Sequence, residues 1–127
     1  MIPPPTPARD LAFEQALYES ILERDPANIE ALMALGESCT KAKDYARGLE
    51  IDRRLAHLRP SDALVHYNLA CSLSLTGNLD EAFATLGRAL DLGYMDLDHL
   101  DRDEDLEALR KDPRFAALRR RLLGLLP

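Results

Sequence analysis

Three aspartates stand at alternate positions near the C-terminal end, Asp101, Asp103 and Asp105. That spacing is how an EF-hand loop presents its first calcium ligands, but the loop also needs Gly at its sixth place and a bidentate Glu at its twelfth. Leu106 and Asp112 occupy those places, and Leu106 shares an apolar pattern with Leu109. The acidic run therefore reads as caps of short helices, since Asp accepts from the orphan N–H groups of a helix start. His57, His66 and His99 are read as scattered over different helices, with His66 in a packing role. Cys39 and Cys71 lie in equivalent helices of neighbouring units; Cys39 fills an apolar pattern position, and both read as reduced structural thiols. The chain carries no Gly-rich phosphate loop, no G-x-S-x-G and no H-E-x-x-H. No catalytic residue, metal ligand or cofactor can be named, so the expectation is a protein that is not an enzyme.

Charge narrows the partners. Sixteen basic against twenty-two acidic residues leave a formal charge of −6, which argues against nucleic acid as the main ligand. Arg114, Arg119, Arg120 and Arg121 make one basic face on the last helical segment, opposite the stripe Phe115, Leu118, Leu122. That face reads as a solubilising outer surface; a nucleic-acid accessory role for it is the weaker alternative. No apolar run approaches the roughly 20 residues of a membrane span, and no secretory signal is visible, so a cytoplasmic protein is expected. At 127 residues, 46% hydrophobic and 30% charged, the chain reads as one globular domain.

The elements that must position these residues come from a repeat. Sliding residues 29–62 onto 63–96, a shift of 34, pairs Leu35 with Leu69, Ser38 with Ser72, Arg54 with Arg88 and Asp62 with Asp96. Gly36 meets Ala70, Gly48 meets Ala82, and Pro26 and Pro60 sit one period apart. A period of 34 is that of stacked helix–turn–helix units. The spacing predicts helices over Pro26–Lys41 and Pro60–Leu75, each followed by an antiparallel partner after turns at Lys43-Asp44 and Thr76-Gly77-Asn78. Asn28 and Asp62 are expected as caps, and Asn78 with Glu81 as a capping box. Residues 8–25 then read as the second helix of a unit lacking its first. Residues 1–7, with four prolines, read as a flexible leader, and 97–127 as a closing segment.

These residues resemble the tetratricopeptide repeat (TPR) family. The first unit has Leu32-x2-Leu35-Gly36-x2-Cys39, then Tyr45-x2-Gly48 and Pro60; the second has His66-x2-Leu69-Ala70-x2-Leu73, then Leu79-x2-Ala82-x3-Leu86. Asp52 stands where the family carries an aromatic, and Tyr94 where the second unit's proline would fall. The run Asp103-x-Asp105-Leu106-x-x-Leu109-Arg110-x-Asp112-Pro113-Arg114-Phe115-x-x-Leu118 is similar to a segment that closes TPR arrays in bacterial proteins. The resemblance implies an all-α fold: a short right-handed solenoid of antiparallel helix pairs, with about seven helices.

It also implies a concave groove lined by the first helix of each unit. Carried over by position, the groove residues are Glu30, Met33, Glu37, Thr40 and Lys41 from the first unit, and Leu64, Tyr67, Cys71 and Ser74 from the second. Met33, Leu64 and Tyr67 would supply apolar anchors and Glu30 and Glu37 a negative field. The expected function is a protein-interaction adaptor or scaffold gripping a peptide or protein segment with apolar anchors and some positive charge. Self-assembly through the groove or the helix ends is the alternative, and a small enzyme the weakest reading.

Overall fold

A computed structural model describes residues 8–124; the proline-rich leader at 1–7 lies outside them. Among the described residues there is no strand. The elements are α1 (Ala8–Arg24), α2 (Ile29–Lys41), α3 (Tyr45–Leu58), α4 (Ala63–Leu75), α5 (Leu79–Asp91), α6 (Leu97–Arg102), a 3₁₀ turn (Glu104–Leu106), α7 (Glu107–Arg110) and α8 (Pro113–Leu122). Eight α-helices among the described residues accord with the expected about seven, the closing segment breaking into three short pieces before α8. No helix in this span is long and apolar enough to cross a membrane.

The period of 34 is visible in the backbone. Helices α2, α4 and α6 begin at Ile29, Ala63 and Leu97, each preceded by an acceptor side chain at Asn28, Asp62 or Asp96. Asn28 accepts from the Ala31 N–H at 2.9 Å and Asp96 from that of His99 at 3.0 Å, each satisfying one orphan donor. The α2–α3 and α4–α5 turns also match. Lys43 N–H donates to Thr40 O at 3.0 Å and Gly77 N–H to Ser74 O at 3.1 Å. Both residues take left-handed φ, +60° and +80°, and the second unit puts there the residue that does so without strain. The capping box does not form. The Asn78 side chain accepts from no backbone N–H of the helix start, and its amide N–H donates to Thr76 Oγ1 at 2.9 Å, orienting the side chain toward the turn.

Each helix packs on its chain neighbour from α1 to α5, and α4 and α5 also receive the closing segment. The core has two parts. Leu32, Leu35, Cys39, Ile51, Leu55 and Val65 form the first, covered by Tyr18 and Leu22 of α1. The second gathers Leu73, Phe83, Leu86, Leu100, Leu106, Leu109 and Phe115 around α4 and α5. Gly36 sits where a Cβ would meet both Ile51 Cγ2 and Asp52 Oδ1 at 3.4 Å, so its smallness lets α2 and α3 close. Arg47 pairs with Glu19, Arg53 with Glu81, and Arg114 with Asp80 and Asp112. These pairs are partly exposed, so solvent screening leaves each of them little weight in stability.

Candidate functional site

Every fourth or third residue of α4 from Leu64 faces one side, so Leu64, Tyr67, Asn68, Cys71 and Leu75 line a common surface. On α2 the matching set is Met33, Gly36, Glu37 and Thr40. Together with Asp52 on α3 and His99, Asp103 and Asp105 of the closing segment, they enclose a groove of about 660 Å³. The groove therefore runs across the two units and ends against the closing segment.

Six of the nine groove residues expected from sequence line it: Met33, Glu37, Thr40, Leu64, Tyr67 and Cys71. Glu30 and Lys41 do not. Glu30 lies in the exposed first turn of α2, and Lys41 is drawn into an i,i+4 ion pair with Glu37 at 3.3 Å. Ser74 is turned inside, its hydroxyl without a partner. Tyr67 is the largest correction. It is only 1% exposed, so it is no surface anchor. Its ring stacks on Tyr94 with centroids 4.2 Å apart, and its hydroxyl donates to Asp103 Oδ2 at 2.7 Å. Tyr94, standing where a proline would recur, supplies the partner that draws Tyr67 inward. Leu64, by contrast, is 48% exposed, and Met33 is half-buried.

Sequence reasoning missed the charged floor. Among the described residues, the groove is lined by four carboxylates, Glu37, Asp52, Asp103 and Asp105, and by no Lys or Arg. The arginines of the outer surface have found partners there instead: Arg119 chelates Asp101 and Arg121 reaches Asp91. Asp103 does cap the 3₁₀ turn, as expected, its Oδ1 accepting from the Asp105 N–H at 3.0 Å. Its other oxygen faces Tyr67, Cys71 and His99. Burial, then Asp103 and Glu104, push the Asp105 carboxyl up. Burial, then Asp103 and Asp105, push the Cys71 thiol well up. Two sequence signals pointed here: Asp52 in a slot that packs an aromatic, and the i,i+4 spacing of His99 and Asp103 on one helical face. Cys39 and Cys71 are both buried and free.

Asp52 is nearly fully buried, accepts one hydrogen bond from Ser72 Oγ and has its carboxyl raised from 3.8 to about 6, chiefly by burial. The folded chain thus holds this proton more tightly than the unfolded one. The stability it contributes is fully present below about pH 4 and is lost as pH rises through about 6, to the order of 3 kcal/mol. Asp52→Asn keeps the shape and removes the charge. It is expected to stabilise the chain at pH 7 by about 1–3 kcal/mol and to flatten the pH 4–7 slope in urea melts relative to the parent. An unchanged slope would place the titration elsewhere.

No protein-family model matches the chain, and no curated protein matches it.

Proposed function

We propose that this chain is a TPR-type interaction module, cytoplasmic and non-catalytic, that grips a peptide or protein segment carrying an apolar anchor next to Lys or Arg. The observation that carries this reading is the groove, where exposed Leu64 and half-buried Met33 lie beside four carboxylates and, among the described residues, no Lys or Arg joins them in the lining. An apolar anchor buries area against Leu64 and Met33, while the negative field selects and steers basic segments. The 34-residue period and the dense closing segment support the family assignment.

Fluorescence anisotropy against synthetic peptides tests the reading. Basic peptides with a Leu or Phe anchor are expected to bind at micromolar strength, roughly −8 kcal/mol, and acidic counterparts not at all. Leu64→Ala and Glu37→Lys change groove residues outside the core, so the fold stays intact. Each is expected to weaken binding about tenfold, and Glu37→Lys also to reduce its salt dependence. Equal affinity for acidic and basic peptides would overturn the assignment.

A second reading rests on α1, whose Phe13 is 72% and Leu17 49% exposed. An uncovered apolar stripe at one end of a stack favours self-association through that end. Sedimentation of Phe13→Ser beside the parent separates the two readings.

A further inference from the structure

Cys71 on α4 and Asp103 and Asp105 at the 3₁₀ turn bring one sulfur and two carboxylate oxygens within 4.8 Å of one another. His99, on the last turns of α6, adds its Nε2 at 3.1 Å from Asp103 Oδ2. We infer that Cys71, His99, Asp103 and Asp105 form a site for a borderline-soft divalent cation such as zinc, held by one thiolate, one imidazole and two carboxylates. The site lies at the closed end of the groove and does not depend on the groove binding a peptide.

The donor set carries the inference. Sulfur and imidazole together suit zinc or cobalt, whereas calcium and magnesium take six or more oxygens or retain water. Zinc–ligand bonds of about 2.0–2.3 Å in a tetrahedron place donor atoms roughly 3.3–3.8 Å apart. Cys71 Sγ and Asp103 Oδ2 are already 3.7 Å apart. Since no pair of the three exceeds 4.8 Å, side-chain shifts of about 1 Å bring the sulfur and the two carboxylates onto one ion. His99, outside that group but paired with Asp103, supplies the fourth donor by a larger swing of its half-exposed ring. All four donors are carried by two packed pieces, α4 and the segment from α6 to the 3₁₀ turn, so closing needs no rearrangement of the stack.

The surroundings are those of a held ligand set rather than of a solvated acidic patch. Cys71 is 7% exposed and both aspartates are half-buried. Asp103 is fixed from two sides, by the Asp105 N–H on Oδ1 and the Tyr67 hydroxyl on Oδ2. Such outer hydrogen bonds orient a metal-ligating carboxylate and favour its ionised form. The His99 ring leans on Tyr67 with centroids 5.6 Å apart, which limits its rotation. No Lys or Arg lines this groove among the described residues, so no cationic side chain competes for the place. Cys39, buried in the first core and absent from the groove lining, is a thiol of the same chain without this donor set.

The test titrates the whole reduced chain with cobalt(II) chloride and reads the visible and near-ultraviolet spectrum. One cobalt per chain is expected, with a thiolate-to-cobalt charge-transfer band and tetrahedral d–d bands, both abolished by adding zinc. Zinc should raise the melting temperature, and calcium or magnesium should not. Cys71→Ser is expected to remove the charge-transfer band, and Asp105→Asn and His99→Gln each to weaken cobalt binding at least about tenfold. Cys39→Ser is expected to leave the band and the affinity unchanged. If Cys71→Ser fails to fold, the Asp105 and His99 variants decide, because neither side chain belongs to the core. A parent chain with no charge-transfer band at millimolar cobalt overturns the proposal. So does a band lost with Cys39 instead, or an affinity indifferent to Asp105→Asn and His99→Gln.

Discussion

Replacing Phe115 by Ala is expected to cost about 3–5 kcal/mol of folding stability and to lower the melting temperature by on the order of 10 °C or more. Asp112 starts α8 by accepting from the Arg114 N–H at 2.9 Å, with Pro113 at a position where its missing N–H is harmless. That start delivers Phe115 into the second core beside Leu106 and Leu109, with Leu118 and Leu122 packed behind it. The ring is 7% exposed, so its removal loses both the transfer free energy and the contacts of a filled site. α8 thereby packs against α5 and α7 and covers the apolar side of the second core. Arg119→Gln on the same helix breaks only a partly exposed ion pair with Asp101 and should leave the melting temperature nearly unchanged. Thermal and urea melts of the two variants side by side check the claim. A Phe115→Ala melt close to that of Arg119→Gln would mean that α8 is only loosely attached.

Tyr67→Ala is expected to be comparably destructive, about 3–5 kcal/mol, and therefore to be uninformative about ligand binding. The ring is almost completely enclosed, stacked on Tyr94 and leaning on His99, and it ties α4 to the closing segment through Asp103. Tyr67→Phe keeps the stack and removes only the hydroxyl. It leaves Asp103 Oδ2 with one donor fewer and should cost about 1–2 kcal/mol. With no Trp in the chain, near-ultraviolet circular dichroism reports chiefly on its tyrosines. Tyr67→Phe should retain most of that signal in a folded chain, whereas Tyr67→Ala should lose it along with the fold. A Tyr67→Ala chain that melts like the parent would return this residue to the groove surface.

How far the residues could be read follows from what kind of interaction each one answers to. Local rules carried the helices. Caps at Asn28, Asp62, Asp96 and Asp112 are satisfied within three residues along the chain, so their spacing is legible without knowing the fold. The turn at Lys43-Asp44 and the burial of Phe115 were legible in the same way, from a breaker and a stripe. The Asn78 capping box failed because the side chain is held by a bond it donates to Thr76 instead of accepting from the helix start, and sequence spacing does not say which way an amide turns.

The all-helical architecture and the 34-residue period were legible in the chain alone, because periodicity and capping act over a few residues; which helix of each unit faces the groove came only from the resemblance to the TPR family. Only the tertiary structure decided the chemistry of that groove. Residues such as Cys71 and Asp103, 32 apart in the chain, meet because the closing segment folds back onto α4, and no local pattern encodes that approach. The inward turn of Tyr67 depends on Tyr94 arriving 27 residues later, and the unpaired floor at Asp52 depends on the outer arginines finding carboxylates elsewhere. Burial, charge pairing and ligand geometry are properties of which helices meet, so they become definite only when the stack closes.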